Sequence, residues 1–413
     1  MCILKKEALE KIYGESVESG ERFYRLGRKF REKYNRNQAE FFSAPGRTEI
    51  IGNHTDHNGG LVIAGSIHMD TIGAACPNGS TKIHITSEGY GKEIKIDLAD
   101  IERGARDLKG TEALIAGMME GVLKAGFKVS GFDAYVATEV IGAAGVSSSA
   151  SFEMLVCAMV DYFFNDGAMS YVHYAKAGQY AENHYWNKAS GLMDQMACAV
   201  GGTILMDFSE PSQPTYQKLD FTFHDIGYQL VIVNTGKGHA DLSAEYSEIP
   251  QEMFTAANAI GVERLCETSR NSLMEKIPEI GNDRAVLRAL HFFQENDRVK
   301  RAAEAIAEGD ADRLLRLIQE SGTSSWEWLQ NCYAIGNAEE QKVPLTLALT
   351  ELFLERSGKG ACRVHGGGFA GVIMCLLPEQ EAEDYVSYIS KFVGKENVYP
   401  LSIRSAGAVR ITV

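Results

Sequence analysis

The chain has 413 residues, with 41 Lys and Arg against 55 Asp and Glu, which gives a formal net charge of −14. Hydrophobic residues make up 45% and charged residues 23%, as in an ordinary globular protein that buries a large core. An acidic chain binds a nucleic-acid backbone poorly, and no apolar run is long enough to predict a membrane span. We therefore expect two or three domains, with neither nucleic acid nor membrane as a partner, although a local site for a small phosphate stays open.

The cysteines and the first residues favour a cytoplasmic protein. Eight cysteines are scattered without a C-x-x-C pair, and Cys157 lies in an apolar segment that is typical of a buried reduced thiol. The chain starts with lysines after a very short apolar stretch, which does not resemble a signal peptide. Reduced thiols and no leader together predict a cytoplasmic location.

The hydrophobic pattern predicts helices and strands mixed along the whole chain. Helices are predicted over 5–36, 110–127, 150–164, 170–188, 191–200, much of 250–355, and 380–393. Strands are predicted at 40–45, in a hairpin over 71–100, and at 131–138, 202–208, 228–234, 361–365, 372–377 and 408–413. The Pro- and Ser-rich segment 209–215 is the best linker candidate. Without strict β-α alternation, this order predicts an α+β fold of two domains, 1–212 and 213–413.

The strongest local signal is Val-Ile-Gly-Ala-Ala-Gly-Val-Ser-Ser-Ser-Ala-Ser at 140–151, between a predicted strand and a predicted helix. Small residues let backbone N–H groups approach an anion, and the helix N-terminus adds unpaired N–H groups and a positive dipole end. Ser147, Ser148 and Ser149 add hydroxyls for phosphate oxygens or a metal ion. An N-cap serine with close helix packing explains the segment alone about equally well.

Ordinary nucleotide-binding motifs do not explain this segment. The chain has no Gly-Lys-Ser/Thr, so it has no Walker-type loop. A Gly-x-Gly-x-x-Gly occurs at Gly366, Gly368 and Gly371, but a predicted strand follows it where a dinucleotide fingerprint requires a helix. His365 and the three glycines after it also resemble an esterase loop, yet no Gly-x-Ser-x-Gly elbow accompanies them.

A second signal is the dense polar segment 44–60, which contains Arg47, Asn53, His54, Asp56 and His57 among glycines. These donors and acceptors suit a ligand with many hydroxyl groups. A metal site built on the two histidines and the aspartate is the rival interpretation, and no second His/Cys cluster supports it.

A third signal is Ser-Gly-Leu-Met-Asp-Gln-Met-Ala at 190–197, where Asp194 lies among apolar residues at a predicted helix start. The carboxylate either stabilises the helix dipole or faces a ligand. Glu182, twelve residues earlier, lies on a polar helix face and taken alone is more typical of solvated surface.

Together with Gly366-Gly-Gly-Phe-Ala-Gly371, these segments resemble the GHMP small-molecule kinases and, within them, the galactokinases. Residues 46–60 resemble the galactokinase signature Gly-Arg-x-Asn-Leu-Ile-Gly-Glu-His-Thr-Asp-Tyr-Asn-Gly-Gly. Residues 191–195 resemble the family's Gly-Ile-Met-Asp-Gln segment, and 244–246 resemble a segment whose Tyr faces the sugar. The resemblance implies the two-domain GHMP kinase fold, with a ribosomal protein S5 domain 2-like N-terminal domain, a ferredoxin-like C-terminal domain and the active site between them.

The resemblance also implies the reaction and the site. ATP and Mg²⁺ would serve to phosphorylate the C1 hydroxyl of galactose or a galactose-like sugar, with Asp194 as general base and Arg47 beside it and the γ-phosphate. The metal ion would be held by Glu182 with Ser148 or Ser149. The sugar-binding residues would be Asn53, His54, Asp56, His57, Gly191 and Tyr246. The ATP-binding residues would be Gly142, Ala143, Ala144, Gly145, Val146, Ser147, Ser148, Ser149, Ala150, Gly367 and Gly368. Galactokinases are often monomers, so we expect a monomer or a weak homodimer.

Departures from the family pattern leave alternatives open. The signature Glu is Asn53, the Asn four positions earlier is Glu49, and the Tyr is His57, which favours a sugar altered at C6, such as galacturonate. Ala143 and Ala144 replace glycines of the phosphate loop, and Ala370 replaces a glycine of the last block. Their methyl groups restrict φ and the approach of a ligand to the backbone. A catalytically weak regulator that binds sugar or ATP is therefore a second alternative. A metal-dependent hydrolase is a third and a poor one.

Overall fold

The computed structural model describes residues 5–102, 108–142, 144–188, 190–236, 243–336, 339–369 and 371–412. Its helices are α1 (Lys6–Tyr13), α2 (Val17–Tyr34), α3 (Leu98–Glu102), α4 (Gly110–Lys124), α5 (Ser148–Phe164), α6 (Tyr171–Tyr185), α7 (Met193–Val200), α8 (Ser243–Ile260), α9 (Arg270–Ile280), α10 (Asp283–Glu308), α11 (Ala311–Ser324), α12 (Lys342–Leu354) and α13 (Ala382–Val393). Its strands are β1 (Glu40–Ile51), β2 (Leu61–Pro77), β3 (Lys82–Ser87), β4 (Ile94–Asp97), β5 (Phe132–Thr138), β6 (Thr203–Asp207), β7 (Thr215–Leu219), β8 (Tyr228–Asn234), β9 (Ala361–His365), β10 (Val372–Pro378), β11 (Val398–Leu401) and β12 (Val409–Ile411). Within these ranges, no helix has both the length and the apolar composition needed to cross a membrane.

The strands form two sheets. In the described part of the chain, the first sheet has the order β12-β1-β2-β5-β3-β4, and β6 and β7 extend it from the other half of the long strand β2. Its pairs are antiparallel except for β3 with β5. The second sheet is antiparallel throughout, with the order β11-β8-β10-β9. Two such sheets with helices packed on them confirm the expected α+β class.

Helices cover both faces of the first sheet. Neighbouring residues Phe41 and Phe42 on β1 point to opposite faces, as strand geometry requires. One face packs against α2, which contributes Phe23 and Phe30, and the other packs against α4, α5 and α6. Because α5 is enclosed by the sheet and by neighbouring helices, nearly its whole circumference is apolar.

The second sheet is also covered on both faces, and its core continues into the first sheet. Along β10, Met374 packs towards α10 and α11, whereas Ile373 packs towards α12 and α13. The cluster beneath α11 also contains Ile50 of β1 and Ile63 of β2. A shared apolar core therefore holds the C-terminal end of β1 against the second sheet.

Two features differ from the sequence-based expectations. The strand predicted at 40–45 continues to Ile51, because register shifts after Pro45 and after Glu49 accommodate its Gly-rich stretch. The segment 209–215, predicted as a linker, connects the paired strands β6 and β7. The first sheet also recruits β12 from the end of the chain. The division into 1–212 and 213–413 stays a prediction.

Candidate active site

A cavity of about 610 Å³ lies where β1, the starts of α5, α7 and α8, and the Gly-rich turn after β9 meet. Its wall contains residues from every segment singled out in the sequence: Arg47, His54, Asp56, His57, Gly145, Ser147, Ser148, Ser149, Glu182, Gly191, Asp194, Tyr246, Gly367 and Gly368. Packing of the two sheets thus gathers groups that are far apart in the chain.

Arg47 and Asp194 form a doubly hydrogen-bonded ion pair in this wall. Nε of Arg47 donates to Oδ1 of Asp194 and a terminal guanidinium nitrogen donates to Oδ2, both at 2.7 Å. Burial raises the pKa of Asp194, but the charge and hydrogen bonds of Arg47, with further contributions from Ser147 and Lys188, together hold that pKa below its ordinary value. Since the Asp194 side chain is still 31% exposed, an ionised carboxylate faces the cavity.

The loop before α5 touches β1 at a glycine. A Cβ added to Gly46 would lie 2.6 Å from the carbonyl oxygen of Val146, so a larger residue would push the two segments apart. The backbone N–H of Arg47 donates to that same oxygen at 3.0 Å, and its guanidinium donates to the carbonyl oxygen of Gly145. Arg47 therefore connects the loop before α5 to Asp194.

The first turn of α5 is open towards the cavity. Ser147 occupies the N-cap with φ 58°, and its hydroxyl donates to Asp194 but accepts no capping hydrogen bond from the helix backbone. Ser148 and Ser149 follow in the cavity wall. The N–H groups of this turn, which have no side-chain cap, are suited to an anion such as phosphate.

Other residues of the predicted phosphate loop lie outside the wall. Three of them are buried in apolar clusters, so they offer a ligand only backbone groups: Ala144, Val146 and Ala150. Gly142 is exposed and does not line the cavity. Ala143 lies outside the described residues, and so does Ala370.

Glu182 on α6 is a buried carboxylate that borders the cavity. Nζ of Lys188 donates to its Oε1 at 2.8 Å, and Nε2 of Gln195 lies 3.4 Å from its Oε2. A second carboxylate, Glu153 of α5, accepts from the same Gln195 nitrogen at 3.2 Å. Burial and the neighbouring Glu182 charge raise the pKa of Glu153 to about 8, so Glu153 holds a proton at neutral pH.

The donor groups in this wall fit Mg²⁺. The ion prefers hard oxygen ligands and is usually held by one or two carboxylates together with substrate phosphates. Ser148 and Ser149 supply hydroxyl oxygens, and Glu182 supplies a carboxylate that forms an ion pair with Lys188 in this structure. Oε1 of Glu153, behind this site, has no hydrogen-bond partner among the described residues.

Another part of the wall combines a carboxylate with aromatic rings. Gly191 is required beside Asp56, because an added Cβ would collide with Oδ2 of that carboxylate. Nε2 of His54 lies 3.0 Å from the carbonyl oxygen of Gly367, and its ring centroid is 5.2 Å from that of Tyr246. The Tyr246 hydroxyl lies 3.4 Å from Nε2 of His57. Burial and the nearby His57 lower the pKa of His54 to about 3, so its ring is a neutral hydrogen-bonding group.

Asn53, which the sequence predicts to select between sugars that differ at C6, does not line the cavity. It is fully buried, and its amide nitrogen donates to Glu49 at 3.1 Å and to the carbonyl oxygen of Gly366 at 2.8 Å. Its amide oxygen accepts from Asn331 at 2.9 Å. Glu49 occupies the wall in its place and forms an ion pair with the buried Arg363. A direct contact from Asn53 to a ligand is therefore not supported by this geometry.

Sequence reasoning missed three ionisable residues among those described in the wall: Glu49, Lys188 and His365. Glu49 was visible as a departure from the signature, and its alternation with Arg47 along a strand was the signal that both face one side. His365 was visible only as a neighbour of three glycines. Nothing in the sequence distinguishes Lys188 from other surface lysines.

Comparisons with known proteins agree with this architecture. Residues 28–77 match the galactokinase galactose-binding signature, and residues 113–202 match the N-terminal domain of GHMP kinases. The crystal structure of Lactococcus lactis galactokinase complexed with galactose superposes with a TM-score of 0.81 at 26% identity, covering 94% of this chain and 99% of that one. A mevalonate kinase shares the fold at a TM-score of 0.61 and 14% identity, and the match covers 89% of this chain and 99% of that one. Fold and site together define a small-molecule kinase of the GHMP class.

Two relatives narrow the class to a family. The galactokinase of Limosilactobacillus reuteri (strain DSM 20016) is 30% identical over 381 residues, which is 90% of this chain and 94% of that protein. The galactokinase of Lactococcus lactis subsp. lactis is 30% identical over 378 residues, 90% of each chain. The chain belongs to the galactokinase family. It is a kinase that uses ATP and transfers phosphate to an alcohol group.

Proposed function

We propose that the protein transfers the γ-phosphoryl group of ATP to the C1 hydroxyl of galactose. The observation that carries this proposal is the ionised Asp194, held by Arg47, in one cavity with the uncapped first turn of α5. That combination supplies a proton acceptor and an anion site side by side. The matched galactose-binding signature favours galactose over galacturonate and over a regulator without catalysis.

Asp194 is the general base of the proposed reaction. Its carboxylate accepts the proton of the sugar hydroxyl as the new bond to phosphorus forms. Arg47 keeps the carboxylate ionised, orients it through two hydrogen bonds, and lies close enough to offset negative charge on the transferred group. Ser147 donates a further hydrogen bond to Asp194 and so fixes its second oxygen.

The first turn of α5 binds the phosphates of ATP. Ser148 and Ser149 of this turn line the cavity with their hydroxyls available to a ligand, and the turn containing Gly367 and Gly368 also lines it. Mg²⁺ is held by Glu182 with Ser148 or Ser149. When bound, this ion neutralises phosphate charge and makes the terminal phosphorus easier to attack.

The polar wall around Asp56 binds the sugar. The Asp56 carboxylate accepts hydrogen bonds from sugar hydroxyls, and neutral His54, whose Nε2–H donates to the Gly367 carbonyl oxygen, keeps Nδ1 as an acceptor. Tyr246 and His57 pack at the edge of this wall, where their rings cover the apolar face of a sugar. Gly191 leaves room for the Asp56 carboxylate.

The test is ADP release by the purified protein with Mg-ATP and a panel of sugars: galactose, galacturonate, N-acetylgalactosamine, glucose and arabinose. We expect turnover of galactose that is abolished in Asp194→Asn. Methyl galactoside, which has no free C1 hydroxyl, should not be phosphorylated. Turnover of galacturonate in preference to galactose would show that the departures around Asn53 set the substrate, and turnover of methyl galactoside would contradict transfer to C1.

Three further proposals concern the domains, the location and the oligomeric state. We propose two domains at 1–212 and 213–413, since all strands of the second sheet follow residue 213, although β7 and β12 join the first sheet. A cytoplasmic location is supported by the described cysteines, which are all free. We also propose a monomer or a weak homodimer, which light scattering after gel filtration tests directly.

A further inference from the structure

His365 is a buried histidine of the cavity wall with one unpartnered ring nitrogen. It ends β9 and is only 1% exposed. Nε2 lies 3.1 Å from the backbone nitrogen of Glu49 and 3.0 Å from Oγ1 of Thr48. Nδ1 has no hydrogen-bond partner among the described residues.

The contact with Glu49 determines which nitrogen of His365 carries the proton. A backbone N–H can only donate, so Nε2 must accept and Nδ1 must carry the hydrogen of the neutral ring. Burial and the nearby charges of Arg47 and Arg363 lower the pKa of His365 well below its ordinary value, which keeps the ring neutral. A buried N–H without an acceptor is unfavourable, and a ligand in the cavity removes that penalty.

Nδ1 lies beside the loop before α5, in the part of the cavity wall where the reaction is proposed. A Cβ added to Gly145 would lie 3.5 Å from Nδ1, so this nitrogen faces the loop before α5. The carbonyl oxygen of Gly145 accepts from Arg47, which in turn binds Asp194. A group that reaches Nδ1 from the cavity thus lies beside the proposed general base.

We propose that Nδ1–H of His365 donates a hydrogen bond to an oxygen of the transferred phosphoryl group of ATP. The proposal rests on the proposed function, since it needs ATP in this cavity. A neutral donor adds a directed contact without a further positive charge beside Arg47. Because ADP lacks this group, the contact favours ATP over ADP.

His291 offers a matched control. It is also fully buried, but both of its ring nitrogens are partnered, at 2.8 Å by Oγ of Ser324 and at 2.9 Å by the carbonyl oxygen of Asn53. It lies outside the cavity wall. Substitution of His291 therefore perturbs a buried histidine of the same region without removing a donor from the cavity.

The experiment measures the affinities of Mg-ATP and Mg-ADP by titration calorimetry without sugar, for the full chain and three variants. In His365→Asn, the side-chain amide lies near the Nδ1 position and keeps a donor there. In His365→Gln, the amide lies near the Nε2 position, so the donor towards the cavity is lost. The third variant is His291→Gln, and thermal unfolding of each variant reports folding.

We expect His365→Gln to weaken ATP binding by about tenfold, which is the usual minimum for the loss of a hydrogen bond to a charged group. The affinity for ADP should stay almost unchanged. His365→Asn and His291→Gln should keep the wild-type ratio of ATP to ADP affinity. An unchanged ratio in His365→Gln, or an equal loss in all three variants, would overturn the role of His365 while galactose turnover by the wild type still supports the proposed function. Failure of the wild type to bind ATP would overturn both.

Discussion

At the scale of single residues, the proposed general base Asp194 and its partner Arg47 should set the pH range of activity. A general base must be ionised, and Arg47 holds the pKa of Asp194 below its ordinary value against the effect of burial. Activity should therefore persist as the pH falls towards the ordinary range of carboxyl groups. In Arg47→Gln the cation is lost, burial raises the pKa of Asp194, and the acidic limb of kcat/KM should move to higher pH. The measurement is kcat/KM from about pH 4 to about pH 9.

Asp194→Asn is the control for this profile. It should lower kcat by about 100-fold or more at every pH, because the base is absent and not merely protonated. An acidic limb that stays at the same pH in Arg47→Gln would contradict the proposed control of Asp194 by Arg47.

Asn53 affects the stability of the protein through its hydrogen bond with the buried Glu49. Asn53→Glu places a second carboxylate against the buried Glu49, whose oxygens lie 3.1 and 3.3 Å from the Asn53 amide nitrogen. We expect a loss of about 3–5 kcal/mol of unfolding free energy, the usual cost of an uncompensated buried charge, measured by urea unfolding at neutral pH.

The double variant Glu49→Gln with Asn53→Glu tests whether carboxylate repulsion or the altered size of the side chain causes the loss of stability. It holds one carboxylate at this place, as the wild type does, so it should recover much of the lost stability. If the single and double variants are equally unstable, repulsion between carboxylates is not the cause.

At the scale of elements, the turn before α5 depends on Gly145. Its φ of 66° is unfavourable for other residues, and an added Cβ would collide with Cγ2 of Val372 on β10. Gly145→Ala should displace the first turn of α5 and raise the KM for ATP about 10- to 100-fold. Gly91→Ala is the control, because Gly91 has ordinary φ and nothing within 4 Å of an added Cβ. Equal KM values for the two variants would show that the turn tolerates a side chain.

At the scale of the whole molecule, Asp70 joins the end of the chain to the first sheet. This fully buried carboxylate binds Arg404 at 2.7 Å and Arg22 at 2.8 Å, and it also accepts from Tyr13 and Ser43. Burial raises its pKa, but the two arginines outweigh burial and hold that pKa below its ordinary value. The resulting stability is present above the ordinary carboxyl pKa and is lost as the pH falls through the lower folded pKa.

Arg404→Met should therefore lower the unfolding free energy at pH 7 by about 3 kcal/mol, with a smaller loss in acid, where the carboxylate is protonated. Arg410→Met is the matched control in the same segment. Arg410 pairs with the partly exposed Glu40, so its loss should cost about 1 kcal/mol or less. Thermal and urea unfolding at neutral and acidic pH compare the two variants. Equal losses of unfolding free energy would contradict the stabilising role of the buried pair between Arg404 and Asp70.

The sequence by itself determined the fold class, the family and most of the cavity wall. Arg47, Asp56, Ser147 and Asp194 were all visible, because hydrophobic period and short motifs are local properties of the chain. Asn53 was predicted to contact the sugar from its position in the family signature, but it lies in the turn after β1, behind Glu49 of the cavity wall.

Only the tertiary structure decided which polar groups meet and in what charge state. The role proposed for His365 rests on a ring nitrogen without a hydrogen-bond partner among the described residues, and the protonation of that nitrogen depends on a backbone N–H more than 300 residues earlier in the chain. Burial and the charge of Glu182 together raise the pKa of Glu153, whereas Arg47, Ser147 and the other neighbours of Asp194 together lower its pKa against burial. Burial and charge pairing depend on distances in space, and no local pattern of residues encodes those distances.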